Sequence, residues 1–251
     1  MISVVCCYND KRIYNEMLLE SLEKQTCDYE LITVDNQNAD YSSIAEAFNS
    51  VSTNIKGDVV LFCHQDICFQ NSDTLEKIEK NIKENPDSIV GLCGITKKKE
   101  VYSNLKYKKT NEYITKKRVE KLMEVESLDE CFFGMKKELI DELGWFDEKT
   151  CDGWHLYAAE LCIRAKRKNK RILVSPEECF HREEPSKGVR IDKPFLKIFK
   201  QIRKKNKDLK EIYSVSLVAS AKNPNFTFTM LKLKMKYRLN KHNEDYCWRE
   251  Q

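Results

Sequence analysis

Three short apolar runs near the amino end each finish on polar side chains able to hold a ligand. Ile2–Cys7 is followed by Tyr8-Asn9-Asp10, Leu31–Val34 by Asp35-Asn36, and Val59–Cys63 by His64-Gln65-Asp66. Carboxylates accept N–H donors and ligate hard cations, amides both donate and accept, and imidazole changes charge near neutral pH. One such group after a strand is ordinary loop chemistry; three in succession mark a shared binding edge. Other chemistries are excluded. The chain has no GxSxG elbow, no GxxxxGK[ST] loop and no GxGxxG, and with 7 glycines it lacks a glycine-rich phosphate cradle. Cys63, His64, Asp66 and Cys68 look loosely metal-binding, but adjacent strand residues face opposite ways, so Cys63 and His64 do not chelate together.

The elements that must carry these groups alternate. The apolar runs are short, β-branched and bounded by polar residues, as buried strands are. Between them, Ile13, Met17, Leu18 and Leu22 recur at helical spacing, as do Ile44, Ala45, Phe48 and Val51. Ser42 and Ser43 are caps for the second helix, with Glu46 completing a capping box. A third helix over 72–84 takes Ser72 as its cap, and a fourth strand spans Ser88 to Cys93. Strand–helix alternation predicts βαβ crossovers and a mainly parallel sheet flanked by helices, with ligands at the carboxyl ends of the strands. Residues 97–121 are lysine-rich and weakly periodic, which reads as an exposed loop or a substrate lid. Regular structure resumes at 122–128 and 131–135, followed by a helix from Lys137 to Leu143, a helix over 155–169, and strands over 171–174 and 178–181.

With 251 residues, 41% of them hydrophobic, the chain suits one large domain plus an appendage. Its cysteines number 11, an odd count, and several lie within strand-like runs; they read as buried thiols in a reducing compartment. No run of about 18 apolar residues occurs, and the first apolar stretch precedes the first positive charge, unlike a secretory signal. A cytoplasmic protein is expected. The formal net charge of +4 is unevenly spread: residues 187–251 sum to +11 and residues 1–186 to −7. Such a split signals a partner for the tail.

ISVVCCYND, SLEKQTCDYELITVDN and GDVVLFCHQDICF together resemble the nucleotide-binding half of family 2 glycosyltransferases of the GT-A (Rossmann-like) fold. LDECFFGMKKELIDELGWFDE, GWHLYAAELCIRA and ECFHRE resemble the acceptor-side half. The resemblance covers roughly 1–185 and implies a GT-A domain over 1–186, with a nucleotide-binding half at 1–95 and an acceptor-side half at 121–186. Residues 187–251 form a basic, mainly helical extension. HQD resembles a bacterial branch in which it replaces DXD. The resemblance implies a nucleotide-diphospho-sugar donor, a UDP-sugar above others. Asp66 would hold Mn²⁺ or Mg²⁺, with His64 in place of the first Asp and His181 completing the site; metal-independent transfer is the alternative. Tyr8, Asn9, Asp35, Asn36, Gln65, Asp129 and Trp154 would bind the nucleotide-sugar, Asp35 through the nucleobase.

The same resemblance places the catalytic base six residues before Arg164, on Ala158, which cannot act as one. Asp152, His155 and Glu160 are the alternatives, and a non-catalytic sugar-nucleotide or glycan-binding protein is the second functional reading. A nucleotidyltransferase would need a glycine- and lysine-rich loop after the first strand, which CCYNDKR lacks. The leading expectation is an inverting transferase acting on a glycan or lipid-linked acceptor in bacterial surface polysaccharide synthesis. In the tail, Phe195, Ile198, Phe199, Ile202 and Leu209 share a helical face ringed by lysine and arginine. Residues 195–240 are either a peripheral contact with the inner membrane face or a helix packed on the domain; no nucleic acid is expected.

Overall fold

Every second side chain of Ile2–Tyr8 (β1) meets the same side of a sheet, and both sides are covered, so the strand is apolar throughout. The computed structural model describes residues 1–181 and 191–220. After β1 the chain winds through α1 (Lys11–Tyr14), a π-helical stretch (Asn15–Leu19) and α2 (Glu20–Leu22). Asp10 starts this unit by accepting the Arg12 and Ile13 amides. β2 (Tyr29–Asp35), α3 (Ile44–Ser50) and β3 (Val59–His64) follow. The expected caps of α3 are present: Ser43 accepts the Glu46 amide, and the Glu46 carboxylate returns to Ser42.

Beyond β3 come β4 (Ile67–Phe69), α4 (Thr74–Glu84), β5 (Ser88–Gly91) and β6 (Cys93–Ile95). The cap position of α4 is Asp73 rather than Ser72, whose carbonyl instead accepts the Thr26 amide. The expected strand 88–93 is split at Leu92, because its two parts join different sheets. β7 (Val101–Ser103) and β8 (Lys106–Tyr107) lie within the lysine-rich segment, followed by β9 (Met123–Glu124), β10 (Ser127–Leu128) and β11 (Phe132–Lys136). Then come α5 (Lys137–Leu143), α6 (Tyr157–Arg167), β12 (Arg171–Val174) and β13 (Cys179–His181). The described part of the tail is α7 (Lys193–Lys205) and a hairpin of β14 (Glu211–Tyr213) and β15 (Val218–Ser220).

The main sheet runs β2-β1-β3-β11-β5-β12-β9. β1 is parallel to β2 and β3, and β12 to β5, while β11 and β9 are antiparallel to their neighbours. The mainly parallel, helix-flanked sheet is the expected architecture. Strand alternation divides the interior in two. Val5, Val60, Phe62, Phe133 and Ile172 pack under α3, α5, α6 and α7. Val4, Leu61, Cys63, Phe132 and Leu173 pack under α2 and α4.

Two segments left open by the sequence are resolved by packing. Residues 97–121 are not a free loop: β8 pairs with β13, and Tyr113 and Lys106 both bond Glu178. α7 begins where Asp192 caps the Phe195 amide, and Phe195, Ile198, Phe199 and Ile202 enter the domain core. Burying each is worth about 1.5–3 kcal/mol, and it is the domain core that covers this face. The boundary at 186 and the stretch MLKLKMKYRLNK lie outside the described residues. The ten described cysteines are free thiols.

Candidate functional site

Registry alone lines up the groups proposed at the strand ends. Tyr8 on β1 lies opposite Asp35 on β2, and Cys7 opposite His64 on β3. The Gln65-Asp66 turn then sends the chain into β4, which pairs antiparallel with β13 so that Ile67 faces His181. That pairing delivers His181 beside Asp66 from far along the chain. His181 Nε2 is 3.4 Å from Asp66 Oδ1, and His64 Nδ1 is 4.0 Å from the same oxygen. One donor atom from each of the three lies within 4.8 Å of the others.

The imidazole of His64 is set for ligation. Tyr157 Oη donates to the Glu130 carbonyl at 3.0 Å, and a carbonyl only accepts. The tyrosine oxygen therefore accepts from His64 Nε2 at 3.1 Å, which leaves the Nδ1 lone pair toward Asp66. Desolvation lowers the pKa of His64, against the pull of Asp66, and so favours the neutral ring that ligation needs. Two imidazole nitrogens and a carboxylate oxygen fit a first-row divalent cation. Imidazole favours Mn²⁺ over Mg²⁺, and the remaining positions would fall to water or phosphate oxygens.

Around this trio the strand-end loops are tied together. Gln65 Oε1 accepts the Asn9 and Asp10 amides at 3.0 Å, and its amide donates to Asn9 Oδ1 at 2.8 Å. Gln65 and Asn9 therefore hold each other. Tyr8 Oη donates to Asp35 at 2.9 Å, and Gln37 donates to the same carboxylate through backbone and side chain. These donors, the Gln37 amide first, hold the Asp35 carboxyl below its usual range. Its outer face stays open to an incoming N–H. Asn36 is buried and folds the loop instead, clasping the Tyr41 amide and carbonyl.

The groups expected on the acceptor side separate into two sets. Asp129, Glu130 and His155 line a cavity of about 180 Å³ with Leu156, Phe195 and Ser214. Asp129 caps the Cys131 amide at 3.0 Å, and His155 Nε2 is 3.6 Å from Asp192. Asp152 and Glu160 are engaged elsewhere. Lys197 on α7 pairs with Asp152 at 2.5 Å, and Glu160, 2% exposed, is held by Arg164 and Lys205. Ala158 is buried in α6, and Trp154 is 42% exposed. Sequence reading missed one residue here, Glu130, and offered Tyr157 only as a ring to stack on a sugar or as core. Tyr157 is buried, with its hydroxyl rather than its ring face at the site, and Glu130 reads as the neighbour of Asp129, with no spacing to separate it from that role.

Among curated proteins none matches the chain. Solved structures do. S. aureus TarS 1–349 in complex with UDP-GlcNAc superposes with TM-score 0.59 at 17% identity, covering 97% of this chain and 79% of that one. GalNAc-T7 with UDP, GalNAc and Mn²⁺ superposes with TM-score 0.57 at 11% identity, covering 80% of this chain. This chain spans 47% of GalNAc-T7, about half its length. The mannosyltransferase PcManGT from Pyrobaculum calidifontis, in complex with GDP-Man and Mn²⁺, gives 0.54 at 13% identity, covering 97% and 83%. At these identities the likeness is one of fold, and the fold is GT-A. Residues 3–193 match the glycosyltransferase-like family, a span that runs through both halves of the cleft. The chain therefore belongs to the glycosyltransferase-like family.

Proposed function

We propose that this chain is an inverting glycosyltransferase that moves a sugar from a nucleotide-diphospho-sugar, a UDP-sugar above others, to a glycan or lipid-linked acceptor. The observation that carries the reading is the convergence of His64, Asp66 and His181 at the strand ends, donor atoms within 4.8 Å. In this reading HQD replaces DXD. Bound there, Mn²⁺ or Mg²⁺ would neutralise the diphosphate as its bond to the sugar breaks. Asp35 accepts the imide N–H of the base, Tyr8 fixes that carboxylate, and the Asn9–Gln65 pair shapes the loop along the nucleotide. Asp129 faces the donor sugar, and Trp154 offers an exposed ring for stacking beside it.

UDP and GDP complexes in fold neighbours support a nucleotide-sugar donor, and Mn²⁺ in two of them supports a divalent cation. We assign the chain to surface polysaccharide synthesis at the cytoplasmic membrane face, where the outward lysines of α7 meet anionic headgroups. No helix among the described residues is long and apolar enough to cross a membrane. Titration calorimetry with UDP and with GDP, each with and without Mn²⁺, tests the donor site. Binding should require the cation and vanish in Asp66→Ala; nucleotide binding that ignores both would refute the metal assignment. Ala158 supports a second reading, a non-catalytic binder. Nucleotide binding with no turnover of any donor or acceptor would select it.

A further inference from the structure

Glu130 is a carboxylate that the donor site leaves unused. It sits between β10 and β11, and its side chain accepts the Leu156 amide at the amino end of α6. It lines the 180 Å³ cavity together with Asp129 and His155. Among the described residues no lysine or arginine pairs with it, whereas Asp152 and Glu160 are both neutralised by cations. Its own backbone carbonyl is joined through Tyr157 Oη to His64, so the residue stands two hydrogen bonds from the metal trio. An uncompensated acid facing a cavity beside the donor site is free to exchange a proton with whatever enters.

Resting on the donor-site reading above, we propose that Glu130 is the catalytic base of transfer. Its carboxylate takes the proton of an acceptor hydroxyl as that oxygen bonds to the anomeric carbon. The bond from that carbon to the diphosphate oxygen breaks, its electron pair leaving with the nucleoside diphosphate; the proton then passes from Glu130 to solvent. Desolvation, with the like charge of Asp129 adding to it, pushes this carboxyl up to about 8, close to the working range of a base at neutral pH. His155 borders the same cavity. Its Nε2 is turned to Asp192 and its ring lies edge-on to Phe195, both from the tail segment.

The test uses the full chain with Mn²⁺ and follows UDP release from UDP-glucose and UDP-N-acetylglucosamine, with water and then azide as the nucleophile. Glu130→Gln, which still accepts the Leu156 amide, should bind UDP with Mn²⁺ as the wild type does. Its water-driven release should fall by about 10²–10⁴-fold, the span general-base catalysis covers. Azide has no proton to give up, so azide-driven release should match wild type. The wild-type water rate should rise with pH to a plateau, and that rise should be absent from the variant. Water-driven release retained in Glu130→Gln, or lost in His155→Ala alone, overturns the proposal. Azide-driven release lost together with water-driven release also overturns it, by making Glu130 a structural residue. If the wild-type chain binds neither UDP nor GDP, the donor-site reading fails first, and binding separates that outcome from the others.

Discussion

Glu130 and Glu160 are the same side chain in opposite surroundings. Glu160 lies 2% exposed against Arg164 and Lys205, so its charge is spent on holding α6 and α7 together. Glu130 meets one amide and the charge of Asp129, and burial favours its neutral form. The consequence for stability has a definite sign. An unfolded Glu releases its proton near pH 4.3, whereas folded Glu130 keeps it to about 8. Below the lower value both states are protonated and the contribution is complete; above it, only the unfolded chain loses the proton. Stability should therefore fall as pH rises toward 8, and Glu130→Gln should remove that slope. Urea denaturation of both proteins at about pH 5 and about pH 8 measures it, and parallel changes would refute the assignment. The contrast between the two acids was hidden in the sequence. Asp66, His64 and His181 were legible because each lies at or just past the end of a strand; the role of Glu130 and the shared hydroxyl of Tyr157 were not, because charge partners and hydrogen bonds depend on packing between distant segments.

At the scale of elements, strong periodicity was read correctly and short pairings were not. α4 and α6 carry clear apolar stripes, and β1 to β3 are runs long enough to be seen. β9 and β10 are two residues each and exist only because β12 and β6 offer edges to pair with. α7 shows a different limit. Its stripe was legible, but amphipathicity alone does not say whether lipid or the protein's own core covers it. Here the core covers it, with Lys205 adding bonds to Asp147 and Glu160. Burial favours the neutral form of Asp147, but Lys205 and Thr150 outweigh it and hold the carboxyl at about 2. Phe199→Ala should accordingly cost about 3–5 kcal/mol, read as a lowered urea midpoint. A loss well under 1 kcal/mol would mean that α7 is only loosely seated.

Over the whole molecule, the near-neutral net charge separates into an acidic body with the strand-end carboxylates and a basic tail. With the apolar face of α7 covered, Lys193, Lys200 and Lys204 point outward. Any membrane contact through the described residues is then adsorption by charge rather than insertion. Co-sedimentation should show binding to phosphatidylserine vesicles but not to neutral ones. It should weaken steeply as salt shortens the screening length to about 8 Å at physiological strength. Salt-independent binding would refute the electrostatic contact. One further property follows from the Tyr157 hydroxyl, which touches His64 on the donor side and the Glu130 carbonyl on the acceptor side. The two sides of the cleft thus share a single hydroxyl, which accepts from one and donates to the other. On the proposed reading, a guest that displaced the Glu130 loop would turn the imidazole at the cation, and a cation that fixed the imidazole would steady the loop. Coupling of this kind is reciprocal, so cation and acceptor would report each other's presence across one oxygen atom.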